Sequence, residues 1–127
     1  MAMRAGEIKI AVAMAIANAG ATGHFLMPGA PAEDIIPTKT PIKINLPDGS
    51  KIQSTQTCHL AILELPQEAR QAHIVPGLAH TSLISIKALC DQGCKVTYDE
   101  EECNIYNNNK TIWTGMREPI TGLWIFL

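Results

Sequence analysis

The segment IKIAVAMAIANAGATGHF, residues 8–25, decides how this chain folds. In its first half the large apolar residues share one parity, at Ile8, Ile10, Val12, Met14 and Ile16. A period of two predicts a β-strand, because successive side chains of a strand point to opposite faces. The second half is dense in Gly and Ala, so the backbone there must turn tightly or approach another group closely. We expect a strand over 8–17 followed by a tight loop.

The same segment also has features of a secretory signal peptide. Arg4 precedes the apolar residues 10–17, and Ala17-Asn18-Ala19 has the small-x-small pattern of a cleavage site. Glu7 and Lys9 interrupt the apolar region and leave only eight uncharged residues in it. We therefore interpret the segment as a strand, with a small secreted β-domain holding two disulfides as an alternative.

Composition excludes several classes of protein. The chain has 127 residues, 46% of them apolar and 17% charged, and its 12 acidic and 10 basic side chains give a formal net charge of −2. One domain over 1–127 fits this length, since two halves would each be too small for a core. The apolar content excludes disorder, and no run reaches the ~20 apolar residues of a membrane helix. The lack of a basic excess disfavours direct binding of nucleic acid.

Turn signals at short intervals predict a compact all-β domain. Segments rich in β-branched residues lie between them, as expected for strands separated by turns. The turn signals are Pro28-Gly29, Pro37, Pro41, Pro47-Asp48-Gly49, Pro66, Pro76-Gly77, Gly93, Asn107-Asn108-Asn109 and Gly115.

The elements expected after the first strand are two hairpins, a short helix and two final strands. Leu83, Ile86 and Leu89 have helical spacing, and Gly93 would end that helix. The expected ranges are a hairpin of 41–46 with 51–63 around the tip 47–50, a short helix or loop at 65–72, the helix at 81–89, a hairpin of 95–98 with 104–106, and strands at 112–114 and 123–127.

The four cysteines allow two disulfides but do not require them. They are Cys58, Cys90, Cys94 and Cys103. Three residues separate Cys90 from Cys94, whereas a structural zinc site usually has a two-residue gap and a second pair. We expect four reduced thiols that pack as small apolar side chains, which indicates a reducing compartment.

No residue pattern predicts a metal or nucleophile site. The acidic run 99–102 lacks the spacing and glycine of a calcium loop and is expected to be an exposed turn. Ser82 and Ser85 have no Gly-x-Ser-x-Gly setting. The histidines have no metal-binding spacing and are expected to be ordinary; they are His24, His59, His73 and His80.

The Gly/Ala-rich segment is the first of four segments that, in this order, resemble one known protein family. Ala17–Phe25 resembles the Asp-Ser/Thr-Gly-Ala-Thr-Gly-His segment of retropepsin-like aspartic proteases in copia-type retrotransposon polyproteins. Three later segments are similar to the same proteases in the same order: Leu46–Ser50 looks like the flap hairpin, Ile74–Ile86 continues the resemblance, and Leu89–Tyr98 is similar to the end of the protease core. The resemblance covers the chain from residue 8 onward.

The resemblance implies a retropepsin-like closed barrel, all-β with one short helix, that dimerises so that two Asp-Ser/Thr-Gly loops meet. It implies an aspartic endopeptidase that processes a polyprotein in a cytoplasmic retrotransposon particle, with a second copy and an extended peptide as partners, and without metal, cofactor or membrane. The positions implied for the site are Asn18, Ala19 and Gly20 in catalysis, and Ala21, Thr22, Asp48 and Gly49 in substrate binding.

Two of these positions depart from the family's pattern. Asn18 stands at the position of the catalytic Asp, and an amide cannot accept a proton from water at neutral pH. Ala19 stands at the Ser/Thr whose hydroxyl braces the two loops, and a lost hydrogen bond costs about 0.5–1.5 kcal/mol. We expect a catalytically inactive domain, with a non-catalytic dimeric peptide-binding module as the alternative.

Further positions are carried over from the resemblance as core and interface. Leu83, Ile84 and Ile86 are expected to pack beneath the loop, with Ser85 in place of a glycine. The apolar end 123–127, or the strand near 8–12, is expected to pair between subunits, because an unpaired strand invites aggregation. An internal strand of the same subunit is the alternative for 123–127.

Overall fold

The computed structural model describes residues 15–18, 23–46, 48–78, 82–120 and 122–126. Among them the chain is built mainly of strands, with a 3-10 turn and one short helix, which confirms the all-β prediction. The elements are β1 (Ala15–Asn18), β2 (His24–Leu26), β3 (Ala32–Pro37), β4 (Lys43–Asn45), β5 (Lys51–Gln53), β6 (Gln56–Leu60), the 3-10 turn (Gln67–Ala69), β7 (Gln71–Ile74), β8 (Ser82–Ser85), α1 (Ile86–Asp91), β9 (Lys95–Tyr98), β10 (Glu102–Asn107), β11 (Lys110–Arg117) and β12 (Trp124–Phe126).

Ten of these strands form one sheet, in the order β3-β6-β7-β2-β8-β1-β12-β11-β10-β9. At its centre β8 lies parallel to β1 on one side and antiparallel to β2 on the other. Strands β4 and β5 form a separate two-stranded sheet. The sheet ends at β3 and at β9, so no closed barrel is found in the part of the chain that the structure describes.

The first strand agrees with the prediction as far as it is described. β1 covers the end of the expected strand 8–17, while residues 8–14 lie outside the described residues. Strand β12 pairs with β1 through Ala15 and Phe126, and with β11 through Met116 and Ile125. Both edges of β12 are therefore occupied within this subunit, so the expected pairing of this strand between subunits is wrong and the internal alternative holds. The other strand expected to pair between subunits, near 8–12, lies outside the described residues.

The predicted helix 81–89 begins later than the spacing indicated. Its first part is strand β8, because Leu83 pairs with Ile16 of β1 and with Phe25 of β2. Helix α1 begins after Ser85, whose hydroxyl oxygen accepts a 3.0 Å hydrogen bond from the amide of Ala88 as an N-cap. The predicted end is confirmed: the chain leaves the helix through Gly93, at a φ of +89°.

The strand predicted over 51–63 is divided at Ser54. The amide of Ser54 donates to the carbonyl of Ile42, and its hydroxyl oxygen accepts from the amide of Ile42 at 2.9 Å. β5 therefore stays with β4 in the predicted hairpin, whereas β6 leaves it to pair with β3 and β7. The helix or loop expected at 65–72 is the 3-10 turn followed by the start of β7.

The C-terminal strands pack around aromatic side chains. The rings of Trp113 and Phe126 stack with centroids 4.2 Å apart. Gly115 was expected to mark a turn but lies within β11. Glycine is required at this position because a Cβ would come within 2.8 Å of the Phe126 ring. The predicted hairpin of β9 with β10 is confirmed, and strands are present where they were expected at 112–114 and 123–127, although β10 and β11 are longer than predicted.

The core joins this region to the rest of the sheet. Its buried members are Leu26, Cys58, Leu60, Ile62, Leu65, Ala69, Ala72, Ile74, Ile84, Ile86, Leu89, Cys94, Cys103, Ile105, Trp113 and Phe126. Cys58, Cys94 and Cys103 thus pack as small apolar residues, as expected, and the exposed Cys90 is a free thiol like them.

Candidate functional site

Asn18 is the last residue of β1 and lies beside the end of β8. The register pairs Ala17 with Ile84 and Asn18 with Ser85. Because β1 runs parallel to β8 and β2 antiparallel to it, the end of β1 and the start of β2 lie at the same end of β8. The predicted site residues Ala19, Gly20, Ala21 and Thr22 lie outside the described residues.

The start of β2 is fixed to the end of β8 by the buried imidazole of His24. Its Nδ1 accepts a 2.9 Å hydrogen bond from the amide of Ser85, and its Nε2 donates to the carbonyl oxygen of Ala69 at 2.8 Å. These two bonds define a neutral ring with its proton on Nε2. Burial lowers the pKa of His24, against the opposing effect of the Ala69 carbonyl, and nearby His73 lowers it further.

Sequence reasoning treated His24 as ordinary and missed this role. The partners of His24 are 45 and 61 residues away, so no local pattern connects them. The one sequence signal is position, because the histidine directly follows the Gly/Ala-rich segment. His24 is thus a positioning residue at the end of the sheet where Asn18 lies.

Of the residues expected to pack beneath the loop, two are buried in the core, while the loop itself lies outside the described residues. Ile84 is fully buried and Ile86 nearly so, and both belong to the core. Leu83 is half-buried and lies beside Phe25 on the neighbouring strand. Ser85 is buried and serves both as the helix cap and as the donor to His24, so it does more than replace a glycine.

The hairpin of β4 and β5 carries the predicted flap residues at its tip. Asp48 is exposed, and its Oδ1 accepts hydrogen bonds from the amide and the hydroxyl of Ser50. These bonds, the one from the hydroxyl foremost, lower the pKa of Asp48. Gly49 has a φ of +88°, which a residue with a side chain rarely adopts. Both residues therefore have turn-forming roles in the structure.

The base of this hairpin contacts the connection between β7 and β8. A Cβ added to Gly77 would lie 2.9 Å from Cγ2 of Ile52, so the Ile52 side chain rests directly on the glycine. Gly77 has a φ of +94° and follows Pro76 in a turn. Ile44 and Ile52 are only half-buried, so this contact and the bonds of Ser54 hold a hairpin with little core of its own.

The described part of the sheet carries two clefts of the size of ligand sites. One of about 450 Å³ is polar and lies at β9 and β10, lined among others by Lys95, Thr97 and Tyr106. The other, of about 390 Å³, lies at β3, β6 and β7 and contains His59 and His73. Neither includes Asn18, and no group of three or more metal-ligating side chains occurs within the described ranges.

The acidic run 99–102 covers the turn between β9 and β10 and the first residue of β10. Asp99 caps the turn between β9 and β10, where its Oδ1 accepts from the amides of Glu101 and Glu102, as expected for an exposed turn.

Among the residues described, no helix is long and apolar enough to cross a membrane.

Comparison with protein-family models, with curated proteins and with solved structures finds no match for this chain.

Proposed function

We propose that this chain is the aspartic-endopeptidase domain of a copia-type retrotransposon polyprotein, working as a homodimer in a cytoplasmic particle, and that Asn18 leaves it inactive. The observation that carries the proposal is the position of Asn18 at the carboxyl end of β1, in register with Ser85. An acid–base group needs such a rigid support, because a misplacement of 1 Å can cost about 100-fold in rate. The His24 bonds add rigidity to the same end of the sheet.

The reaction of such a site requires two carboxyl groups that share one proton. Like charges in contact cannot both ionise, so one group is a carboxylate and the other an acid at working pH. The carboxylate accepts a proton from water while the water oxygen attacks the peptide carbonyl carbon, and the acid gives its proton to the carbonyl oxygen. The tetrahedral intermediate then expels the amine, which takes up the proton held by the first carboxyl group as the C–N bond breaks. The second group, now a carboxylate, takes a proton from a hydroxyl of the intermediate as the product carboxyl group forms, so that the pair again shares one proton.

Asn18 removes the proton acceptor from both halves of the dimer. The amide has the size of the carboxylic acid and can donate and accept hydrogen bonds, but it does not take a proton from water at neutral pH. A symmetric dimer then holds two amides and no base. The amide removes no group that peptide binding requires, whereas hydrolysis loses its first step.

The hairpin of β4 and β5 supports the substrate part of the proposal. It stands outside the main sheet, has little core, and carries Asp48 and Gly49 at an exposed tip, as a flap that closes over an extended peptide would require. An extended peptide is held through its backbone, like an added strand.

A second candidate is a dimeric module that binds peptides without cutting them. The substitution of the catalytic position by an isosteric amide favours it, since Asn18 keeps the shape and hydrogen-bonding capacity of the site. The two candidates differ in whether a carboxylate at position 18 restores hydrolysis.

A peptidase assay on matched proteins tests the proposal. The native chain, Asn18→Asp and the double variant Asn18→Asp/Ala19→Thr are incubated with a mixture of extended peptides, with and without a statine-type transition-state analogue, and products are identified by mass spectrometry. We expect the double variant alone to cleave at a substantial rate, and the analogue to stop it. Mass analysis of the native chain excludes deamidation of Asn18 as a source of activity. Folded variants that never cleave would reject the endopeptidase proposal, and retained peptide binding would then favour the module.

A further inference from the structure

The cleft at β3, β6 and β7 combines a strained acidic residue with two histidines. It has a volume of about 390 Å³, within the range of sites that hold a small ligand or one large side chain. The side chains relevant to binding are Asp34, Ile36, Thr57, His59, Gln71 and His73. The proposed peptidase chemistry uses none of them.

A β-bulge directs Asp34 into this cleft. The pairing of β3 with β6 shifts between Glu33 and Ile36, and Asp34 has a φ of +54° there. Bulges redirect side chains, and a left-handed backbone is uncommon outside glycine although Asp tolerates it better than most residues. As a result Oδ2 of Asp34 lies 3.1 Å from Nδ1 of His59, although Nδ1 makes no hydrogen bond with the described residues. The carboxylate is 68% exposed and so has capacity for a further partner.

His73 places a second polar side chain beside the cleft. Its Nδ1 is shielded from solvent and has no hydrogen-bond partner among the described residues. Burial lowers the pKa of His73, which favours the neutral ring, and a neutral imidazole has one acceptor nitrogen. Because this nitrogen is shielded, His73 lines the cleft without exposing an acceptor to it, and the exposed carboxylate of Asp34 is the acceptor that a ligand can reach.

We infer that this cleft binds the cationic side chain of a lysine or arginine residue. An ammonium or guanidinium group donates several hydrogen bonds and carries the charge that the Asp34 carboxylate requires. Glu33, the neighbouring carboxylate, is already paired with Arg70 at 2.9 Å, whereas Asp34 lies beside His59 with a side chain that stays 68% exposed to a ligand. Ile36, which is 59% exposed, provides apolar surface for the methylene stem of such a side chain.

The position of the cleft connects it to the proposed peptide site. The ring of His73 lies 6.1 Å from that of Phe25, and a Cβ at Gly23 would be 3.8 Å from Cδ2 of His73. Gly23 and Phe25 directly follow the segment that begins at Asn18. The cleft would therefore select a basic residue of the bound polypeptide, a statement that rests on the proposed function, whereas the binding of the side chain itself does not.

The test uses the native chain and two small probes of the same shape. N-acetyl-L-arginine amide carries the cation, and N-acetyl-L-citrulline amide replaces the guanidinium with a neutral urea. The nitrogen resonances of the histidine rings are followed by NMR during titration. We expect the arginine probe to shift His73 and His59 in a saturable way, and the citrulline probe to bind about tenfold more weakly, as for loss of a charge-assisted contact.

Two variants separate the role of Asp34 from that of general charge. Asp34→Asn retains a residue that tolerates positive φ, so it should fold, and we expect it to weaken the arginine probe about tenfold. Glu33→Gln removes the same charge one residue away, and the affinity should stay within about twofold of the native value. Equal affinity for the two probes, or native affinity in Asp34→Asn, would overturn the inference. Neither readout needs hydrolysis or a dimer, so a failure here is distinguishable from a failure of the proposed function.

Discussion

The two hairpins at 43–53 and 102–117 have similar turns but different support. Each tip is formed by local polar chemistry: Asp48 and Gly49 in the first, and Asn108 and Asn109, both at positive φ, in the second. The first hairpin is a separate sheet whose side chains are exposed or half-buried. The second continues the main sheet and contributes Ile105 to the core.

This difference shows that turn chemistry forms a hairpin whereas packing decides whether it is fixed. The C-terminal hairpin is held by burial of large side chains, the main favourable term in folding. The hairpin of β4 and β5 is held mainly at its base, by Ser54 and by Ile52 on Gly77. Few buried contacts indicate a low local stability, which is what a closing element requires.

The largest expected effect is in the C-terminal hairpin. Trp113→Ala removes the buried ring that stacks on Phe126 and should lower the free energy of unfolding by about 3–5 kcal/mol. Ile44→Ala in the other hairpin removes a half-buried side chain and should cost about 1 kcal/mol or less. Denaturant unfolding of both variants measures the difference, and equal costs would contradict the comparison.

The next effect concerns the base of the β4–β5 hairpin. Gly77→Ala introduces a Cβ at a φ of +94° and 2.9 Å from Ile52, which should cost about 1–3 kcal/mol. In a double-mutant cycle with Ile52→Ala, part of this cost should disappear, because the smaller side chain removes the steric conflict. Hydrogen exchange at β4 and β5 should rise more than at β10. Strict additivity of the two substitutions would show that the contact does not hold the hairpin.

A smaller, graded effect of acid distinguishes the end of the sheet near Asn18 from the C-terminal hairpin. The pKa values of His24 and His73 are lowered by burial, so the unfolded chain binds more protons than the folded one below about pH 6.5. Their contribution to stability is therefore complete above pH 6.5 and is lost as the pH falls below it. Exchange of the Ser85 amide should increase in this range before that of Ile105, and His24→Gln should remove most of the difference. Simultaneous loss of protection at both amides would contradict a local role for His24.

The smallest effects are expected at the two aspartates that cap turns. Oδ1 of Asp48 accepts from the Ser50 amide, and Oδ1 of Asp99 accepts from the amides of Glu101 and Glu102. Both carboxylates are exposed, so Asp48→Ala and Asp99→Ala should leave global unfolding almost unchanged and accelerate exchange only at those amides. A cooperative loss of stability in either variant would indicate that the tip supports more than its own turn.

The features predicted correctly from sequence are those fixed by neighbours in the chain. The Asp48-Gly49 tip, the Asn108-Asn109 turn and the end of α1 at Gly93 each depend on a few adjacent residues, so their patterns are visible. Gly115 was misread as a turn because only the distant Phe126 ring explains it.

The errors around the site have the same cause. Leu83 has helical spacing but belongs to a strand, because β1 and β2 pair with it from both sides. His24 has partners far along the chain, so its importance was not visible in the sequence. The placement of Asn18 at a strand end agrees with the expected strand and loop, whereas the roles carried over from the family remain predictions.

The most direct test of the central claim is the stoichiometry of inhibitor binding. Asn18→Asp/Ala19→Thr is titrated with a statine-type transition-state analogue in a calorimeter, and its mass is measured by light scattering with and without the analogue. If the site lies between two copies of the chain, one analogue binds per two subunits and stabilises the dimer. The native chain then binds the same analogue more weakly than the double variant. One analogue per monomer, or no binding by the folded double variant, would contradict the account.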